Sequence, residues 1–311
     1  MIEKFAKVIT VVTVLVALAG CGGGGGDTSG YTGKTSASAL TVSNATEMSI
    51  DVVDGYGSLS ALGGIAKSVA GTPEGSLTIK ELADIFDRSV SSVVQKPAVA
   101  KTVAETTSGS QPGYSGSFSY TGSFDPATGR LAATFTYNAY QASADSAYIS
   151  GSVSVNGYVS QESGELERLT IVINSLQIGG IGVNHGADSG PVITVKGKMT
   201  LVNGVDQTIT VSMIFTEGTS GRTYWYKDFT TVVSTGTTTM QGTFYHPDHG
   251  YVVLTTLTPL SNTTTAYGDP ISGQLLFTGG SGSKVRLTYT GTGIGYLLEL
   301  DAAGTGSYTA L

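Results

Sequence analysis

The chain has 311 residues, three histidines and one cysteine, with a formal net charge of −7 and a pI near 4.9. An acidic balance without basic clusters argues against a nucleic-acid partner, and one cysteine excludes an intrachain disulfide. Charged residues make up only 13%, so stability rests on burial, and the length suffices for one large β domain or two small ones.

The N-terminus carries Lys4 and Lys7, then an apolar run from Val8 to Ala17, then Leu18-Ala19-Gly20-Cys21. This is the layout of an export signal, with small residues before the cut. The apolar run is shorter than the about 20 residues a membrane span needs. Cysteine at the junction resembles the lipobox of bacterial lipoproteins. The resemblance implies removal of residues 1–20, diacylglyceryl attachment to the Cys21 sulfur and acylation of the new amino terminus, so that the membrane is a partner through lipid. Gly22 follows where the enterobacterial sorting pattern would use Asp for inner-membrane retention, which implies the outer membrane and leaves the periplasmic and surface faces both open. Residues 21–40 then read as a lipidated cysteine and a flexible Gly/Ser/Thr tether. The run Gly22–Gly26 does not read as a phosphate cradle, because Lys34-Thr35 comes too late and no strand precedes it.

Residues 41–112 read as a short strand around Met48–Val53 followed by a helical region. Leu59, Leu62, Ile65 and Val69 recur at helical spacing, interrupted by Gly63-Gly64. A second helix is better marked. Thr78 and Glu81 form a capping box, and Ile79, Leu82, Ile85, Phe86, Val90 and Val93 share one face. Pro97 ends it. A one-faced helix must be covered, and the following sheet is the expected cover.

Residues 113–311 alternate with period 2, the pattern of sheets with one wet face. Phe135 and Tyr137 alternate with Thr134 and Thr136, Val153 and Val155 with Ser152 and Ser154, and Val285 and Leu287 with Lys284 and Arg286. Asp125-Pro126-Ala127-Thr128-Gly129 and Asn203-Gly204-Val205-Asp206 are turn chemistry. The expectation is a mainly β fold: an antiparallel meander of about twelve strands, a curved sheet or open barrel with one or two N-terminal helices on its apolar face. Gly151, Gly242 and Gly273 each follow a similar short sequence and read as strand bends or bulges.

Two C-terminal stretches carry a family resemblance. Gly242-Thr243-Phe244-Tyr245-His246-Pro247-Asp248-His249-Gly250-Tyr251-Val252 and Ser272-Gly273-Gln274-Leu275-Leu276-Phe277, the latter continuing through Ser283-Lys284-Val285-Arg286-Leu287, resemble a group of uncharacterised bacterial lipoproteins. The resemblance implies an exported β lipoprotein and no particular activity. In the family the final segment is rich in Asp and Gly. Here it reads Asp301-Ala302-Ala303-Gly304-Thr305-Gly306, without most of those acids, so a calcium site is not carried over.

Candidate chemistry is sparse. His246, Asp248 and His249 share one turn and are the candidates for zinc or copper. Neighbours in a turn seldom converge on one ion without a distant ligand, so a tight hairpin turn is the favoured reading and no metal or cofactor is expected. Tyr224-Trp225-Tyr226 are the candidate ligand-binding aromatics. Alternation puts Tyr224 and Tyr226 on one face and Trp225 with Phe229 on the other, with core packing and a single exposed ring favoured over sugar stacking. Glu162, Glu165 and Glu167 read as solvated acids rather than a glycosidase pair. No nucleophile elbow is present and Cys21 is committed to lipid. The expected function is a non-enzymatic, outer-membrane-anchored structural or binding module. Its partner is a protein or an apolar ligand. One alternative is a carrier of lipid or other apolar cargo in a half-barrel cavity lined by Phe135, Tyr137, Ile171, Val195 and Met213. The other is a secreted hydrolase.

Overall fold

The computed structural model describes residues 30–57, 79–94, 105–143, 146–160, 162, 165–179, 192–218, 220–263, 270–291 and 295–311. Two helices, α1 (Ala45–Gly57) and α2 (Ile79–Val94), precede a single antiparallel sheet. The sheet has fifteen strands among the described residues. They are β1 (Glu105–Pro112), β2 (Ser115–Asp125), β3 (Arg130–Gln141), β4 (Tyr148–Val159), β5 (Leu166–Gly179), β6 (Ile193–Val202), β7 (Gln207–Glu217) and β8 (Thr223–Ser234). After these come β9 (Thr237–His246), β10 (Gly250–Thr258), β11 (Leu260–Ser261), β12 (Gly273–Thr278), β13 (Lys284–Tyr289), β14 (Tyr296–Asp301) and β15 (Thr309–Ala310). Each strand pairs with the next in a meander, except that β11 returns to β9 and β12 pairs with β10. The path begins at β1 and ends at β15, and the sheet is not closed.

The strands that alternation does not announce are β1 and the two-residue β11 and β15. β1, with the sequence Glu-Thr-Thr-Ser-Gly-Ser-Gln-Pro, has no apolar residue to set a period. It lies between the expected helical region, residues 58–104, and the sheet expected from Gly113, and pairs with β2 along its full length. Its polar side chains and terminal proline suit an edge that must not recruit another strand.

The strand expected around Met48–Val53 is instead part of α1. Ala45, Met48, Ser49 and Val52 are fully buried, at i, i+3, i+4 and i+7, so the helical period wins once the window reaches back to Ala45. The expected face of α2 is observed: Leu82, Ile85, Phe86, Val90 and Val93 are buried. Thr78, Pro97 and the Leu59–Val69 pattern lie outside the described residues.

One contiguous apolar cluster includes side chains from β2 through β14 and from both helices. The fourteen strands that lie side by side, if flat at 4.7–4.9 Å, would span about 62 Å, against a helix about 10 Å across. A single cluster therefore requires the sheet to curl round the helices. The curl has a local cause. Register shifts occur at Tyr137/Tyr140, Ser152/Val153, Ile173/Leu176, Val211/Met213 and Lys227/Thr230. They line up across the strands. Ala139 N–H donates to Ser150 Oγ (2.9 Å), and Ser212 and Asp228 hydrogen-bond each other through Oγ and Oδ1 (3.1 Å). Ala139 and Asp228 take positive φ (45° and 49°), as do Gly151, Gly197 and Gly242. At Gly197, φ is +134° and a Cβ would sit 2.2 Å from Ser212 O. Bulges and glycine kinks in one row bend a sheet along that row. The glycines read from sequence as bends are observed as such: Gly151, Gly242 and Gly273 all have positive φ.

Candidate functional site

The β9–β10 hairpin closes through Pro247-Asp248-His249, with His246 paired to Gly250. His246 is the last residue of β9 and points to the inner face, where it is fully buried. Its ring meets Tyr224 edge-on at 5.3 Å and lies beside the His249 ring at 4.6 Å. Nδ1 accepts the Asp248 N–H at 3.2 Å.

α1 approaches from the inner side. Glu47 and Asp51 are one helical turn apart and so share a face. Glu47 sits in the first turn, where the helix dipole favours a carboxylate. Its Oε2 is 3.1 Å from His249 Nε2 and its Oε1 is 3.7 Å from His246 Nε2. Asp51 Oδ2 is 3.5 Å from the same His246 nitrogen. At these separations His246 Nε2 is buried without a hydrogen-bond partner among the described residues. The helix is fastened here by Tyr226, whose hydroxyl donates to Val52 O at 2.9 Å.

Burial lowers the His246 pKa to about 4; His249 and Arg222 act the same way, against Glu47 and Asp248. The ring is neutral at pH 7 and keeps a lone pair. Tyr224, desolvated next to it, is pushed up to about 12 despite Arg222, and stays protonated.

The segment before α1 straps the outside of the hairpin. Lys34 N–H donates to Pro247 O (3.0 Å), Tyr251 N–H to Ser36 O (2.9 Å) and Ser38 N–H to Tyr251 O (2.9 Å). Tyr31 OH donates to Lys34 O and to His246 O, each at 3.1 Å. Leu40 N–H reaches Ser283 Oγ at 2.9 Å.

The structure brings together two of the three metal candidates. Donor atoms of Glu47, His246 and His249 all lie within 4.8 Å of one another. Asp248 does not join them. It turns outward to pair with Arg222 and is mostly exposed, because a three-residue turn puts His246 and His249 on one side and Asp248 on the other. Glu47, the distant partner that the turn lacks, is 202 positions from His249 and is not signalled by any spacing in the sequence.

The aromatic candidates are differently placed from the expectation. Tyr224, Trp225 and Tyr226 are all buried. Tyr224 and Tyr226 are in the core as alternation predicts. Trp225 is on the outer face but is covered by Tyr245 and by Tyr31 of the strap, so it offers no exposed platform. Phe229 is not beside Trp225: the bulge at Asp228 reverses the parity, and Phe229 packs edge-on to Tyr226 at 5.1 Å. Glu162, Glu165 and Glu167 are exposed. Asp301 is buried, which by itself would raise its pKa. The N–H groups of Gly306, Thr305 and Gly304 outweigh this and hold the carboxyl below its usual range. It closes a C-terminal loop rather than facing a cluster of acids.

No protein family, curated protein or solved structure matches the chain.

Proposed function

We propose that the protein is an outer-membrane-anchored lipoprotein serving as a non-enzymatic structural or binding module of the envelope. The observation that carries this reading is the order of basic start, apolar run and Leu18-Ala19-Gly20-Cys21, followed by glycine. The strap adds to it. Nine residues, Gly22–Gly30, separate Cys21 from Tyr31, and the ten steps between those two reach at most about 35 Å when extended. Tyr31 is hydrogen-bonded to the β9–β10 turn. Lipid on Cys21 would therefore hold that end of the sheet next to the bilayer and leave the polar sheet face to a partner.

The carrier reading has less support. Phe135, Tyr137, Ile171, Val195 and Met213 are buried in the same cluster as both helices, and Tyr137 OH donates to Ser89 Oγ of α2 at 2.9 Å. The helices stand where apolar cargo would lie. The hydrolase reading gains nothing from Glu162, Glu165 and Glu167, which are exposed.

Cells producing the full chain are fed a clickable palmitate analogue and their membranes are separated by density. The expected result is label on the wild type in the outer-membrane fraction and none on Cys21→Ala. Unlabelled wild type, or label that persists in Cys21→Ala, overturns the reading.

A further inference from the structure

The geometry points to a transition-metal site of the zinc class, built from His246 Nε2, His249 Nε2 and the Glu47 carboxylate. This site is independent of lipidation. Zinc bonds nitrogen at 2.0–2.1 Å and carboxylate oxygen at similar length. Tetrahedral ligands around it therefore stand about 3.3 Å apart. The observed separations bracket that value: 3.1 Å from His249 Nε2 to Glu47 Oε2 and 3.7 Å from His246 Nε2 to Glu47 Oε1, so each carboxylate oxygen faces one ring.

A second observation is independent of these distances. His246 is fully buried, and its Nε2 points at the carboxylates without a hydrogen-bond partner among the described residues. A buried polar atom left in this state is costly. An ion placed between Nε2 and Glu47 removes that cost. Coordination through Nε2 needs the ring proton on Nδ1, so the long 3.2 Å contact from Asp248 N–H gives way.

The donor set selects the ion class. Two imidazoles with a carboxylate suit zinc and its neighbours, whereas calcium and magnesium take oxygen ligands. Glu47 and His249 are part-exposed, with side-chain exposures of 34% and 28%, so the ion has a path from solvent and keeps a side open to water or to a partner's donor group. Bound there, it would join α1 to the β9–β10 hairpin.

The test uses the purified full chain in detergent, stripped with a chelator and titrated with Zn2+ by calorimetry and with Co2+ by visible absorption. The expected result is one ion per chain, a four- or five-coordinate cobalt spectrum and a higher thermal midpoint with Zn2+. Glu47→Gln and His249→Ala, both at part-exposed positions, should each weaken binding at least tenfold, while Asp248→Asn, at the residue paired with Arg222, leaves it unchanged. Absence of binding to the folded wild type overturns the proposal, as does binding that survives both Glu47→Gln and His249→Ala.

Discussion

The indole of Trp225 on β8 stacks against Tyr245 on β9, with centroids 4.5 Å apart and planes 24° from parallel. Tyr31 leans on both rings, at 5.8 Å and 5.6 Å, and the Lys227 ammonium lies 5.4 Å from the indole centre. An outward-facing aromatic on a β-sheet is thereby turned into a second, small packed cluster, closed by a segment that touches the strand ladders only at the parallel Ala37–Tyr251 bridge.

Removing the lid should open that cluster. Tyr31→Ala deletes two aromatic contacts and the hydroxyl bond to His246 O, a loss of about 2 kcal/mol from ring pairs worth 0.5–1.5 kcal/mol each. Trp225 is the sole tryptophan, so its emission reports directly. The expected outcome is a red shift and faster quenching by iodide, together with a lower urea midpoint. An unchanged spectrum would mean that the strap does not cover Trp225.

Acid should destabilise the metal-free protein through His246. Desolvation, with His249 and Arg222, holds its pKa at about 4 in the fold, against Glu47, Asp248 and the nearby Asp51. The unfolded chain takes a proton near 6.5 that the folded chain refuses until about 4. Stability from this group is therefore complete above pH 6.5 and falls as the pH drops towards 4. The loss is on the order of 3 kcal/mol at 1.36 kcal/mol per pKa unit. Urea unfolding at pH 7 and pH 4.5, with chelator present, should show a larger drop for wild type than for His246→Asn. Equal drops would sink the assignment.

The row of bulges and glycines predicts a sharp penalty at Gly197. With φ at +134° and Ser212 O only 2.2 Å from the position of a Cβ, Gly197→Ala must move backbone in the middle of the sheet. The expected cost is at least 2 kcal/mol, roughly the upper part of the 1–3 kcal/mol for a strained backbone residue. Gly236→Ala is the control: that turn glycine also has positive φ, but a Cβ there meets nothing within 4 Å. Thermal unfolding of the pair separates the two contributions, and similar midpoints would show that close approach adds nothing at Gly197.

Much of this architecture is legible in the residues themselves. Apolar alternation along β3, β4 and β13 names both the strand and its inner face, and the α2 face is visible as Leu82, Ile85, Phe86, Val90 and Val93. The misreadings have physical origins. Met48–Val53 looks extended because the window is shorter than two helical turns, and β1 is silent because it has nothing apolar to alternate. Phe229 changes face because a bulge breaks the count of two, and a bulge at an Asp carries no strong sequence mark. At the site, the pairing of His246 with His249 is readable from one turn. Glu47 is not, because its proximity is created by the curl of the sheet.

The strap and α1 come first in the chain, yet their partners are Thr223, the 246–251 turn, Tyr226 and Ser283. Chains are made from the N-terminus onward. Apart from the contact of α1 with α2, the strap and α1 therefore find none of these partners until β8 has been made. Docked, they cover the core under α1, the indole under Tyr31 and the histidine turn together. A chain ending before Thr223 would lack every one of these partners, and one ending before Ser283 would lack the last of them.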